Sequence, residues 1–334
     1  GGPLLWCLTV LMSNVPFRHG ERWWEHDADE SSKAASRSVG LGWYAFYLAV
    51  IAISSIAALV ANTGPCEITP AAFSPRAAVP PSVLAGFRLC SAIFCIAVLV
   101  RRAGIERVQD EETLDRRPIR LVTHGIWRFM GLTQHQFIMI SLYFALSSTF
   151  MLRVMAEPTA AWVSSPSTAA CATSSLYGVA FALALLTTVV VTFVLVPAKI
   201  ANGTSASHFF AFDELVMHNL NSFLLLVDLL LGSMHVRMSD LPWSLLFGVV
   251  YLIFHHYIRY PRSHTLLYFF LNWQSRKAPL IIIVLLSAIA AFFGIGYAIS
   301  AYVRPHPWGP PAVLIMSVCT MRLREPPPKG KALC

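Results

Sequence analysis

Long stretches almost free of charge dominate this chain, and they restrict its fold more than any motif does. Seven of them, at 41–62, 84–100, 129–151, 176–199, 212–234, 242–260 and 279–303, are apolar along most of their length. A hydrocarbon core about 30 Å thick takes about 20 helical residues to cross, which matches these runs. Apolar–polar alternation over about ten residues, the mark of a membrane barrel strand, is missing from them. Only 13% of the residues are charged and 56% are hydrophobic, against about 25% and about 45–50% in a soluble domain. An ordinary soluble protein and a disordered chain are thereby excluded. The net charge of +8 does not point to nucleic acid, because the basic residues fall in separate short loops rather than on one face. The expected fold is all-α: a polytopic transmembrane helical bundle of about seven spans.

Charge between the spans sets orientation. Lys and Arg are concentrated in 18–40, 101–128 and 259–278, whereas the opposite side carries Arg76, Arg153, Arg237 and the five basic residues after position 303. The positive loops therefore face the cytoplasm or an equivalent compartment such as the mitochondrial matrix. An odd number of spans puts the Pro-rich tail 304–334 on the other side. Residues 1–40 read as a polar, targeting-like extension with a short apolar run at 3–17. The mixed-charge stretch 104–120 reads as a solvated surface helix. The Asn202-Gly203-Thr204 sequon falls on the positive side, where no glycan is expected. Cys90 and Cys95 read as small apolar residues within a span, and Cys66 and Cys171 share the opposite face, where a pair can form if it is oxidising.

Polar groups inside the spans carry the chemistry. Thr133 lies about 6 Å and His218 about 9 Å below the positive face, at about 1.5 Å per residue. His255 and His256 close the span that exits on that face, and His135 follows Thr133. A hydroxyl becomes a nucleophile when a neighbouring base takes its proton and a third group orients that base. Thr133 and His218 suit the first two roles; Glu214 and Asn221, at i−4 and i+3 from His218, suit the third. The bland alternative has Thr133 bonding its own helix carbonyl and the histidines joining helices. Asp213 and Glu214 also suit a helix N-terminus electrostatically. Arg88 and Asp228, both near the opposite face, are expected to form a structural ion pair, since either alone in lipid is costly. Haem or metal ligation is not expected: the adjacent His255 and His256 rings point about 100° apart in a helix, and no His-rich box is present. No phosphate loop, Cys-x-x-Cys pair or Gly-x-Ser-x-Gly elbow occurs, and no cofactor is expected.

Three stretches carry a resemblance. WRFMGLTQHQFIMISLYFAL (127–146), MHNLNSFLLLVDLLL (217–231) and GVVYLIFHHYIRY (248–260) resemble, in order and spacing, the second, fourth and fifth spans of the androgen-induced-gene family of membrane hydrolases. This family includes the androgen-dependent TFPI-regulating protein. The resemblance covers about 84–303 as six spans, with 41–62, the N-terminal region and the tail as additions. It implies an intramembrane Thr nucleophile at Thr133, a catalytic His at His218 and hydrolysis of lipid esters such as fatty acid esters of hydroxy fatty acids. Gly131-Leu132 and the residues before His218 depart from the family pattern. These departures favour a rival expectation: a non-catalytic accessory subunit of a large organellar respiratory or ATP synthase assembly. Expected partners are membrane lipids or, in the rival case, other subunits. The expected location is the endoplasmic reticulum or the mitochondrial inner membrane.

Overall fold

Several helices of this protein start on a proline, and the reason is local. Proline at the first helical positions loses only an N–H that would be unpaired there, and its ring presets the helical φ. The computed structural model describes residues 39–61, 67–112, 118–201, 206–259, 268, 271 and 277–323. Within it, α1 covers Val39–Ala61, α2 Pro81–Gly104, α3 Leu132–Ala156, α4 Thr168–Ala201, α5 Phe212–Leu231, α6 Met238–Tyr257 and α7 Ala278–Val303. Helices α2, α6 and α7 each have proline in their first turn. The six from α2 to α7 are long and apolar enough to cross a membrane. The protein is thus an integral membrane protein with an all-α bundle. Helix α1 packs mainly along α6, with Leu48 in a core layer shared with Val249, Tyr251 and Leu252.

The larger core joins α2, α3, α4 and α5 through Cys95, Phe137, Phe144, Tyr177, Phe181 and Leu225. Four turns of these helices widen to π geometry, at Val191–Leu195, Val216–Leu220, His255–Arg259 and Ile299–Val303. The first has a visible cause in Pro197, whose ring would collide with the carbonyl four residues earlier in a regular helix. The second carries His218, and the third carries His255 and His256.

Two segments depart from the expectations above. Residues 104–120 are not a surface helix. Strands β1 (Arg107–Glu112) and β2 (Pro118–Thr123) form an antiparallel hairpin, with Val108 opposite Val122 and Asp110 opposite Arg120. Pro118 cannot extend a helix but is tolerated as the first residue of an edge strand.

The stretch 304–334 is not simply a Pro-rich polar tail. After a turn at 304–308, Gly309–Thr320 forms a helix, α8, with proline again in its first turn. It packs along α5 and buries Val313 and Ser317. At 12 residues it reaches about 18 Å back into the bundle, so Arg322 returns to the side that carries the positive loops. There its backbone N–H donates to Asn219 Oδ1 and its carbonyl accepts from Asn219 Nδ2, at 3.2 and 3.3 Å. The turn before α8 is fixed by Arg304, whose Nη1 donates to the carbonyls of Leu229, Gly232 and Met234 at the end of α5. The N-terminal extension, Cys66 and the 202–204 sequon lie outside the described residues; Cys171 is disulfide-bonded.

Candidate active site

Helix α3 begins at Leu132, three residues later than the apolar pattern suggests, because Gly131 holds an extended conformation as its cap. No side chain caps it, and its first ladder bond runs from the His135 N–H to the Gly131 carbonyl. The amides of Leu132, Thr133 and Gln134 precede the ladder, as the first amides of every helix do. Thr133 therefore stands in the first turn, at the positive end of the helix dipole. It is buried, with 4% of its surface exposed. Its hydroxyl has no hydrogen-bond partner among the described residues. In the same helix Ser141, Ser147, Ser148 and Thr149 all donate to a carbonyl of their own helix.

His218 sits in the π turn of α5, which packs directly against α3. The contact is pinned one turn deeper, where Asn221 Nδ2 donates to Gln136 Oε1 at 3.2 Å. Gln136 lies three residues after Thr133 and Asn221 three after His218. Both helices enter from the positive face, so Thr133 and His218 occupy facing turns at one depth. His218 is 5% exposed, its Nε2 lies 3.7 Å from Glu214 Oε2, and its Nδ1 has no partner among the described residues. The Phe209 ring covers it at 5.7 Å between centroids.

Of the two groups expected to orient this imidazole, only Glu214 faces it. Asn221 is committed elsewhere: its Oδ1 accepts from Thr188 Oγ1 and from the Ser222 N–H, and its Nδ2 is spent on Gln136. Asn221 thus joins α3, α4 and α5. Glu214 is held by two arginines: Arg102 Nη1 donates to Oε1 at 2.9 Å, and Arg107 Nη1 donates to the same oxygen. His255 and His256 are buried in the turn that ends α6. That end meets the start of α3, where Tyr251 Oη donates to the Met130 carbonyl and His135 packs between the Tyr251 and Phe254 rings. The two histidines thus approach from the α6 side, and His218 from α5.

Arg88 and Asp228 meet as a fully buried pair. Arg88 Nε donates to Oδ1 at 2.7 Å and Nη2 to Oδ2 at 3.2 Å, while Nη1 donates to the Phe73 carbonyl at 2.6 Å. Tyr143 Oη adds a third bond to the Asp228 carboxylate at 2.5 Å. This network lies about two turns deeper than the Gln136–Asn221 contact and ties α2, α3 and α5 together.

The residues that sequence reasoning missed are Arg102 and Arg128. Arg102 reaches Asp213 Oδ2 as well as Glu214, and Arg128 Nη2 lies 3.4 Å from Asp213 Oδ2 while its Nη1 donates to the Ile105 carbonyl. Asp213 and Glu214 thus bind arginines rather than only complementing the helix dipole. The signal in the sequence was the match of three arginines at one end of α2 and before α3 with two acids opening α5. Arg128 is pushed down to about 10, by burial first and then by Arg102 and Arg107. His208 is pushed down to about 4, by burial first and then by Arg107 and Lys199. A cavity of about 190 Å³ opens here, lined by Ile105, Glu106, Arg107, Arg128, His208, Ala211, Asp213 and Glu214. Neither Thr133 nor His218 lines it. No family model, curated protein or solved structure matches this chain.

Proposed function

We propose that this protein is an intramembrane hydrolase of lipid esters, with Thr133 as nucleophile and His218 as its base. The observation that carries the reading is that the buried residue Thr133 and a buried His218 nitrogen with no partner among the described residues occupy facing turns at one depth. Burying the His218 nitrogen without a partner costs about 1–3 kcal/mol. The Thr187, Ser244 and Ser317 hydroxyls are also buried without partners among the described residues, so it is the imidazole in the facing turn that sets Thr133 apart. Wide π turns, such as the one carrying His218, occur frequently at functional sites.

The chemistry then runs as follows. Thr133 Oγ1 attacks the ester carbonyl carbon while His218 Nδ1 takes the hydroxyl proton, and Glu214 steadies the ring through its Nε2 side. The oxyanion develops at the start of α3, where the amides of Thr133 and Gln134 can donate; preorganised donors of this kind are each worth about 2.7–4 kcal/mol. Collapse expels the alcohol, which leaves with the proton from His218, and the acyl group stays on Thr133. Water, deprotonated by the same imidazole, releases the fatty acid and restores the hydroxyl.

Fatty acid esters of hydroxy fatty acids are the substrates implied by the family resemblance, and we adopt them as first candidates. An intracellular membrane, endoplasmic reticulum or mitochondrial inner membrane, suits the orientation of the positive loops. Turnover of such an ester by purified protein in mixed micelles tests the proposal. Thr133→Ala and His218→Ala are expected to lose nearly all activity, and Thr133→Ser to retain part of it. Full activity in Thr133→Ala overturns it. An inactive wild type that travels in native membranes as part of an assembly far above 36.9 kDa supports the accessory-subunit reading instead.

A further inference from the structure

A buried donor one turn from the candidate nucleophile has no acceptor. Gln136 is 0% exposed, and its Nε2 makes no hydrogen bond among the described residues. Buried side-chain polar atoms are paired in the large majority of cases, so the open end of this amide stands out. The network around it fixes which end is open. The Ser222 backbone N–H can only donate, so the Asn221 atom 2.6 Å from it is Oδ1. Asn221 Nδ2 is thereby turned to Gln136, where it donates to Oε1 at 3.2 Å. A flipped Gln136 amide would set two donors against each other, so Nε2 is the free end.

The free donor stands beside Thr133. Residues three apart on a helix share a face, with Cβ atoms about 5–6 Å apart. Helical side chains also lean back over the turn that precedes them, so the Gln136 side chain extends towards Leu132 and Thr133. The backbone amides of Thr133 and Gln134, which precede the helix ladder, belong to that same turn. The adjacent Phe137 and Ile140, one turn deeper, are core residues whose side chains offer no acceptor. On the α5 side the carboxamide is restrained by Asn221, which is itself held by Thr188 and the Ser222 N–H. A donor fixed in this way needs no reorganisation when charge develops next to it.

We infer that Gln136 Nε2 donates to the oxyanion of the tetrahedral intermediate formed on Thr133, and that Asn221 is the positioning residue that holds the carboxamide in place. The inference rests on the hydrolase reading above and adds to it a side-chain donor beside the backbone amides of the same turn. As Thr133 attacks, the ester carbonyl oxygen gains a full negative charge. A hydrogen bond from Nε2 then becomes charge-assisted and about twice as strong as its neutral counterpart. Its contribution therefore falls on the chemical step rather than on substrate binding.

The test is turnover of a palmitoyl ester of a hydroxystearic acid by the purified full chain in mixed micelles, with kcat, KM and the thermal midpoint measured together. Gln136→Met keeps the length of the side chain and removes its donor. We expect kcat to fall about a hundred- to a thousandfold while KM stays within about threefold of the wild type. Asn221→Leu breaks the same interhelical bond, and the bonds to Thr188 and Ser222 besides, but keeps the Gln136 donor. If Gln136 only joined helices, Asn221→Leu would lower kcat at least as much as Gln136→Met; the oxyanion role requires it to lower kcat less. Should Gln136→Met fail to fold, Gln136→Asn, which draws the amide back by one methylene, decides, with the same direction of change expected. A folded Gln136 variant with kcat within about threefold of an active wild type overturns the inference and leaves the hydrolase reading standing. The reverse order of the two losses does the same. A wild type without turnover overturns both.

Discussion

Replacing Asp228 by alanine probes how much the bundle depends on one buried charge pair. The carboxylate accepts two bonds from Arg88 and one from Tyr143, and both charged side chains are 0% exposed. Without it, Arg88 keeps a single acceptor, the Phe73 carbonyl, and the Tyr143 hydroxyl loses the carboxylate it donates to. An orphaned buried charge costs about 3–5 kcal/mol, and the lost hydroxyl bond adds about 1 kcal/mol. The expected loss is therefore about 4–6 kcal/mol, or about three to four powers of ten in the folding equilibrium. Removing both charges is a different perturbation. Arg88→Met with Asp228→Leu takes a bond only from the Phe73 carbonyl and Tyr143, and is expected within about 2 kcal/mol of the wild type. The assay is reversible unfolding in mixed micelles titrated with a denaturing detergent, run as a double-mutant cycle. A cost below about 1 kcal/mol for Asp228→Ala, or a double variant no better than the single one, refutes the reasoning.

Three further outcomes follow from the geometry. A Cβ on Gly309 would lie 1.9 Å from the Val303 carbonyl oxygen, so Gly309→Ala is expected to cost about 1–3 kcal/mol in the same unfolding assay and to loosen α8. A tag fused after residue 334 is expected on the same side as a tag in 113–117, by protease protection in sealed vesicles, because α8 turns back towards the positive face. His208 is held neutral in the folded state down to about pH 4, against about 6.5 when unfolded. The unfolded chain binds the extra proton between these values, so stability falls as pH drops from about 6.5 to about 4; His208→Gln is expected to flatten that part of a thermal-midpoint profile.

The spans were legible because twenty apolar residues in a row have few alternatives. The common depth of Thr133 and His218 was legible because a helix converts residue number directly into distance from the face. The meeting of Arg88 with Asp228 followed from the expense of either charge alone. Other features depend on information that hydrophobic periodicity does not carry. Whether 104–120 is a helix or a hairpin turns on Pro118 and on cross-strand pairs such as Val108 and Val122, while its mixed charges suit either. The prolines at 310 and 311 suggested a tail because composition does not separate a linker from a helix start. Arg102, at the end of a span, reads as an interfacial anchor until Asp213 and Glu214 are brought against it. Asn221 has the spacing of a group that orients His218, yet Thr188 and Gln136 claim its amide. The π turns widen single turns, too locally to disturb an apolar pattern.

The most direct test of the Thr133–His218 assignment is covalent labelling by a long-chain fluorophosphonate in native membranes, with the modified residue mapped by mass spectrometry. Phosphonylation requires an activated hydroxyl, and of the hydroxyls in α3 only Thr133 stands opposite a free imidazole nitrogen. The account predicts a label on Thr133 that disappears in His218→Ala while the variant remains folded. An intact wild-type protein that takes no label, or one whose label on Thr133 persists without His218, contradicts it.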